Sequence, residues 1–383
     1  MTCVLLLSLV SMNIFLIAGE ASGDLHASRL MRALKELDPS VTFSGVGGPA
    51  MEAEGLTSVI AIDQLNVVGF AEIARNYTRL RRLLTTTCES LEHIKPDVVV
   101  PVDFPGFNTR VSAFARSRNI PVMWYIAPQL WAWGKGRAAS FARVIDELLV
   151  VLPFEQEFFR QFSITTHFVG HPLLDNPELS QTPPSLDLRE HLVAFLPGSR
   201  TQEIRRHMPL MRETALMLRK ADPSLRFGLA RSVSVSASLL AEYNHDALFE
   251  VFDNARELMK TARIGLIKTG TSTLEAALCG LPMCSVYKTS TLTYLMARAL
   301  VTLPSIALPN ILASKQFVKE FIQHDATSDK IAHEILHLLR NTNDAQSMCD
   351  EFSQIRVLLG STGASKRAAE HILRRAQSRK AVA

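Results

Sequence analysis

Val98-Val99-Val100 follows Lys95-Pro96-Asp97 and continues through Pro101 to Val102 without a single polar side chain. A β-branched run of this kind reads as a central parallel strand covered on both faces, because a strand with one wet face alternates apolar and polar residues. Such a strand demands helices on both sides, and the flanking sequence offers them. Ile14 to Ala18 is a short apolar run followed by the amphipathic stretch Leu25 to Leu37; Val98 to Val102 is followed by Val111 to Arg118 and then by Pro121 to Ile126. This is the alternation of βαβ units. It restarts after Gly170-His171-Pro172 and the polar stretch from Asn176 to Pro184. There Leu192 to Leu196, Phe227 to Ala230, Ile264 to Ile267 and Met283 to Tyr287 read as strands, and Gln202 to Lys220, Ser272 to Cys279 and Asp329 to Leu339 as helices.

At 383 residues the chain suits two such domains. The expectation is an α/β protein of two Rossmann-like domains whose parallel sheets face a central cleft. The first is expected over residues 1–175, completed by a C-terminal helix 355–383 that includes the basic, Ala-rich tail Lys366 to Lys380; the second is expected over 185–354. The composition is 47% hydrophobic, yet no apolar run is long enough to cross a bilayer, so a soluble or peripheral protein is expected rather than an integral one. A net charge of +4 is too small to mark a nucleic-acid binder. Five cysteines, Cys3, Cys88, Cys279, Cys284 and Cys349, are scattered singly, as in a reducing compartment. Met1 to Val10 is apolar but no Lys or Arg precedes it, which argues against a cleaved leader, and Met12 is an alternative start.

Four segments could carry chemistry. Gly19-Glu20-Ala21-Ser22-Gly23-Asp24 links a strand to a helix, so its backbone amides could meet an anion or a polar sugar; it is equally a tight turn capped by Ser22 or Asp24. It has neither the Lys-Ser/Thr of a Walker loop nor the glycine spacing of a dinucleotide site. Asp103 stands just past the carboxyl end of the buried strand, where open α/β sheets place ligands, and is the candidate general base, a helix-capping Asp being the plainer alternative. Gly198-Ser199-Arg200 with Glu203, Arg205 and Arg206 combines a strand-to-helix turn with cationic side chains suited to a departing diphosphate. Gly270-Thr271-Ser272-Thr273 opens another helix to a phosphate, and Glu275 could accept ribose hydroxyls or serve as capping-box partner of Ser272. No Asp-x-Asp pair is present, and His26, His171, His191 and His207 have no ligand spacing and read as turn or surface residues, so no metal and no cofactor are expected.

These segments resemble the lipid-A-disaccharide synthase family from Asn13 onward. The matching stretches are AGEASGD (Ala18 to Asp24), GVGGPAMEAEG (Gly45 to Gly55), APQLWAW (Ala127 to Trp133), LPFE (Leu152 to Glu155) and VGHPL (Val169 to Leu173). They continue with LPGSRTQEIRRHMP (Leu196 to Pro209), GTSTLEAALCGLP (Gly270 to Pro282) and LPNILA (Leu308 to Ala313). The resemblance implies a GT-B fold and transfer of 2,3-diacylglucosamine from UDP-2,3-diacylglucosamine to the 6-hydroxyl of 2,3-diacylglucosamine 1-phosphate, with inversion and release of UDP. It implies that Asn310, Glu320 and Gln323 face the nucleotide or donor sugar, and that Gly19, Glu20, Ser22, Gly23 and Asp24 lie towards the acceptor. Gly106 stands where many members carry a second Asp, which leaves Asp103 less contested as base. Residues 1–12 have no counterpart.

Acylated substrates imply a cytoplasmic enzyme peripheral on the inner face of the inner membrane. Leu65 to Leu84, with Val67, Val68, Phe70, Ile73, Tyr77, Leu80 and Leu84 among Arg75, Arg79, Arg81 and Arg82, suits that interface, or else is an ordinary amphipathic core helix. Trp124, Trp131 and Trp133 either line the cleft or pack internally. A homo-oligomer is compatible with all of this. The rival readings are a UDP-sugar epimerase or hydrolase, a peptidoglycan-type GT-B transferase, and a nucleotide-sugar sensor without turnover.

Overall fold

The computed structural model describes residues 12–65, 77–300 and 303–380. The chain divides into two compact units, Met1–Asp175 with Ser361–Ala383, and Asn176–Gly360.

The first unit is built on seven parallel strands: β1 (Asn13–Ala18), β2 (Thr42–Gly47), β3 (Leu56–Ala61), β4 (Val98–Val102), β5 (Met123–Tyr125), β6 (Glu147–Val150) and β7 (Thr165–Phe168). Their order is β3-β2-β1-β4-β5-β6-β7. The second carries six parallel strands: β8 (Glu190–Leu196), β9 (Arg226–Ala230), β10 (Glu250–Phe252), β11 (Ala262–Lys268), β12 (Met283–Tyr287) and β13 (Glu320–Ile322). Their order is β10-β9-β8-β11-β12-β13. Each sheet grows outward from its first strand and then resumes on that strand's other side. Connections therefore diverge between β1 and β4, and again between β8 and β11, opening a crevice at the carboxyl ends of each pair.

The β-branched run behaves as its composition demands. All five residues of β4 are buried, and β1 beside it is sealed from Ile14 to Ala18. Each fully buried Val, Ile or Phe contributes about 1.5–3 kcal/mol, so a polar residue here would forfeit that and strand its own polar group. Strands β2, β3, β6, β7, β10 and β13 carry weaker signals. β2 holds Gly45 and Gly47 in only six residues, β3 buries only Leu56 and Ile60 and exposes the consecutive Thr57 and Ser58, and the remaining four are three or four residues long.

The first unit leaves off at Asp175, as expected, and the other limits differ. Asn176 to Pro184, the polar stretch between the two expected domains, belongs to the second unit, where Arg356 Nη1 donates to Leu179 O at 2.6 Å. Residues 355–358 end the helix Thr342–Leu358 of the second unit, with Ile355 buried there, and do not belong to the C-terminal helix. The return to the first unit runs through Gly360 and Gly363, both at positive φ (88° and 91°), a conformation glycine adopts without penalty. The tail then forms the helix Ala364–Lys380, whose Ala368, Ala369 and Ala376 are buried; it packs on the helix Ala21–Leu37. Asp175 caps it, accepting from the Gly363, Ala364 and Ser365 amides at 2.7, 3.0 and 2.8 Å.

Of the segment proposed for a membrane interface, Val67, Val68, Phe70, Ile73 and Arg75 lie outside the described residues. Of the described part, Leu65 is buried at the end of the short turn Ile62–Leu65, and the rest belongs to the helix Tyr77–Ile94, in which Leu80 and Leu84 pack on the core while Arg79, Arg81 and Arg82 are exposed. Among the described residues no helix is long and apolar enough to cross a membrane. Cys88, Cys279, Cys284 and Cys349 are free thiols.

Candidate active site

In the first unit the parallel register sets Ala18 beside Val102, so the segments that leave β1 and β4 emerge together. Two motifs some eighty residues apart in sequence thereby form one small crevice lined by Glu20, Ser22, Gly23, Asp103, Phe104 and Pro105. Asp103 and Phe104 both take left-handed backbone (φ 48° and 51°), a strained pair for residues with side chains, costing about 1–3 kcal/mol each. Three contacts hold the turn. The Asp103 amide donates to Tyr125 O at 3.1 Å, and the buried Asn108 donates from Nδ2 to Asp103 O at 2.7 Å and to Ile17 O at 3.3 Å. Phe104 lies over Gly19, where a Cβ would stand 2.1 Å from the ring. Glycine is required there by close approach, not by dihedral angle.

The turn aims Asp103 into the crevice. Its carboxyl keeps an opening to water, but the surrounding protein withholds solvent and pushes it up to about 6; the Phe104 amide opposes the shift and the nearby Glu20 adds to it. It does not cap the helix Pro105–Ser117, whose N-cap position is held by Phe104.

Glu155 was not singled out by pattern. It is 2% exposed, and accepts from Trp131 Nε1 at 3.0 Å and from the Leu152 amide at 3.1 Å. Burial pushes it up to about 7, with those two donors opposing and Asp103 contributing to the rise. Its signal lay in the Leu-Pro-Phe-Glu stretch, a helix opening with Glu in the first turn. The three tryptophans have three separate roles: Trp124 is sealed in the core, Trp131 holds Glu155, and Trp133 is exposed beneath the Arg137 guanidinium.

Other expected residues are engaged differently. Asp24 accepts from the Gly48, Ala50 and Met51 amides (2.9, 3.0 and 3.1 Å), bracing the short helix Pro49–Ala53. Neither Asp24 nor Ser22 caps the helix Ala21–Leu37; its N-cap is Glu20, without a side-chain capping bond.

In the second unit the same register logic brings Leu196 beside Ile267, and the Gly198 and Gly270 turns emerge side by side. Their crevice is lined by Gly198, Ser199, Arg231, Arg256, Ser272 and Glu275 among others. Glu203 folds back beneath it, taking the Ser199 amide at 2.9 Å and pairing with Lys268 Nζ at 2.9 Å. Burial works against its charge, but Lys268, the Ser199 amide and Arg200 outweigh it and hold the carboxyl below the ordinary range. Gly198 (φ 118°) leaves the space that Glu203 fills, since a Cβ there would meet Oε2 at 2.4 Å. Gly270 is the N-cap of Thr271–Leu278, so Ser272 and Glu275 are not a capping box; Glu275 lies 3.4 Å from Arg256 Nε. Thr273 is buried and donates to Gly270 O at 2.7 Å.

Asn310, Glu320 and Gln323 serve as braces. Asn310 donates to Val318 O and Glu320 Oε1 (2.7 and 2.8 Å), Glu320 accepts from the Ile306 and Ala307 amides (2.9 and 3.1 Å), and Gln323 grips Thr289 through its amide and carbonyl. His171 and His207 are buried rather than surface residues, and Nδ1 of His26 is buried as well. His207 joins Glu203 O to the Lys288 amide (2.8 and 3.1 Å), which suits the neutral ring that burial favours.

Two all-parallel sheets with Gly-rich turns at both switch points define the GT-B class. Solved structures agree on the fold: a UDP-GlcNAc 2-epimerase from Neisseria meningitidis, bound to UDP-GlcNAc, matches at TM-score 0.65 and 13% identity over 95% of this chain and all of that one. The calicheamicin glycosyltransferase matches at TM-score 0.62 and 16% identity, over 96% and 98% of the two chains. The sequence narrows the class. The family model for lipid-A-disaccharide synthetase matches residues 14–372. The lipid-A-disaccharide synthase of Anaeromyxobacter sp. strain K is 36% identical over 94% of this chain and 97% of its own, and that of Geobacter sulfurreducens 35% over 95% and 97%. This chain belongs to the lipid-A-disaccharide synthase family, glycosyltransferases that form the lipid A disaccharide.

Proposed function

We propose that the chain transfers 2,3-diacylglucosamine from UDP-2,3-diacylglucosamine to the 6-hydroxyl of 2,3-diacylglucosamine 1-phosphate in one inverting displacement, with Asp103 as base and without a metal. The acceptor O6–H gives its proton to Asp103 as O6 bonds to the anomeric carbon, and the bond from that carbon to the diphosphate breaks with its electron pair leaving on UDP. The observation that carries this reading is the convergence of Asp103 with Glu20, Ser22 and Gly23 at the first sheet's switch point. A carboxyl near 6 is ionised at neutral pH yet more basic than an ordinary Asp, which suits a general base.

The negative charge that develops on UDP would be met at the Gly198 and Gly270 turns by backbone amides together with Arg200, Arg231 and Arg256. Lys268 holds Glu203, and through it the Ser199 loop, in the shape that presents those amides. Asp24, Asn310, Glu320 and Gln323 act on substrates through the loops they brace. Exposed Arg79, Arg81 and Arg82 favour an anionic membrane surface, in keeping with acylated substrates and a place on the inner face of the inner membrane.

The test is UDP release from UDP-2,3-diacylglucosamine in detergent and EDTA, with and without the acylated 1-phosphate acceptor. Acceptor-dependent release with a disaccharide product is expected, and Asp103→Asn should lower kcat by about 10²–10⁴ with little change in KM. Release without acceptor would make the protein a hydrolase; full turnover by Asp103→Asn would move the base elsewhere.

A further inference from the structure

A second constellation stands apart from both crevices. Glu147 opens β6 and pairs with Thr165 of β7, so in a parallel register Glu147 and His167, two residues beyond Thr165, stand on one face of the sheet. His371 reaches them from the helix Ala364–Lys380, its ring centroid 4.2 Å from that of His167. One ligand atom from each of the three side chains lies within 4.8 Å of the other two, and His167 Nε2 is 3.1 Å from Glu147 Oε2. Ligand atoms around tetrahedral Zn2+, bonded at about 2.0–2.1 Å, stand about 3.3 Å apart, so the His167–Glu147 edge already has the needed length.

We propose that Glu147, His167 and His371 bind a single zinc-type transition-metal ion that pins the C-terminal helix to the β6–β7 edge of the first sheet. Two imidazoles and one carboxylate are the borderline donor set that such ions prefer over Mg2+ or Ca2+. The surroundings fit. Glu147 turns Oε2 to His167 while Oε1 faces Arg375 Nε at 3.8 Å, an outer partner that leaves one oxygen for the ion. Arg375 is itself balanced by Asp146, 3.5 Å from its Nη2. Glu147 lies at the amino end of its strand, whereas Asp103 follows the carboxyl end of β4, so the ion takes no part in transfer.

The experiment titrates Zn2+ into the tag-free, metal-stripped chain against a chromophoric chelator, with Co2+ as a visible-absorption probe of tetrahedral geometry. One equivalent should bind, raise the unfolding midpoint, and give intense Co2+ bands. His371→Gln and Glu147→Gln should each weaken binding by more than about a hundredfold, since outer partners alone cost 10–100-fold. Transfer activity should be unchanged by EDTA or by either substitution. Melting of the metal-free variants at the wild-type temperature excludes misfolding as the cause. Absence of a site tighter than about 1 μM, or equal affinity in the His167→Gln/His371→Gln double variant, overturns the proposal.

Discussion

Removing the Asn108 side chain as Asn108→Ala should separate the aim of Asp103 from its chemistry. Asn108 is wholly buried, and its Nδ2 gives its short bond, 2.7 Å, to Asp103 O while reaching Ile17 O at 3.3 Å. Alanine leaves the Asp103 carbonyl without that donor, at a cost of about 1–3 kcal/mol. The two left-handed residues it anchors are then free to relax towards ordinary backbone, which relieves part of that cost but displaces the carboxylate. For a unit of this size the loss corresponds to a fall of about 2–12 °C in the unfolding midpoint. A displacement of about 1 Å costs about a hundredfold in rate. The assay pairs calorimetry with acceptor-dependent UDP release at saturating substrates. The expected result is a lower kcat with KM within a few-fold of wild type. A variant that melts early but turns over at the wild-type rate would refute the reasoning, because the turn would then hold its shape without Asn108.

The pH–rate profile should have an acid limb near about 6, rate falling as Asp103 takes up its proton, and Glu20→Gln should move that limb lower by removing the neighbouring negative charge that raises it. Asp103 binds its proton more tightly folded than unfolded, so its contribution to stability is present at low pH and is lost as pH rises through about 6. Asp103→Asn should accordingly raise the unfolding midpoint relative to wild type at about pH 8 and not at about pH 4. Gly19→Ala drives a methyl into the Phe104 ring and should destabilise by about 1–3 kcal/mol, with recovery when Phe104 is also shortened to Ala. Glu203→Ala frees Lys268 and the Ser199 amide and should raise KM for the sugar nucleotide more than it lowers kcat, measured by steady-state kinetics.

Much of this protein was written locally. The strands β1, β4, β8, β9, β11 and β12 are legible because residues buried on both faces must be apolar and stiff at χ1, a demand that can be met only by composition. The four chemical segments are legible because each follows such a strand with glycine and small polar residues, the local requirement of a strand-to-helix turn. Partners distant in sequence are another matter. That Gly19 needs Phe104, that Asp103 and Glu20 share one crevice, and that Gly198 leaves room for Glu203 follow from strand order and register, which no single segment contains. A carboxylate or amide is the same residue type whether it meets substrate or holds a loop; Asp24, Asn310, Glu320 and Gln323 became braces because folding brought backbone amides and other partners to them. Glu155 shows locally only as a first-turn Glu that takes the Leu152 amide, its Trp131 partner coming from another helix, and the Glu147, His167 and His371 group lacks any local spacing, since its members come from two strands and the C-terminal helix. Local patterning thus decided which residues lie in strands and turns, while tertiary packing decided which of them meet, because hydrogen bonds and charge shifts depend on a few ångströms of space and not on distance along the chain.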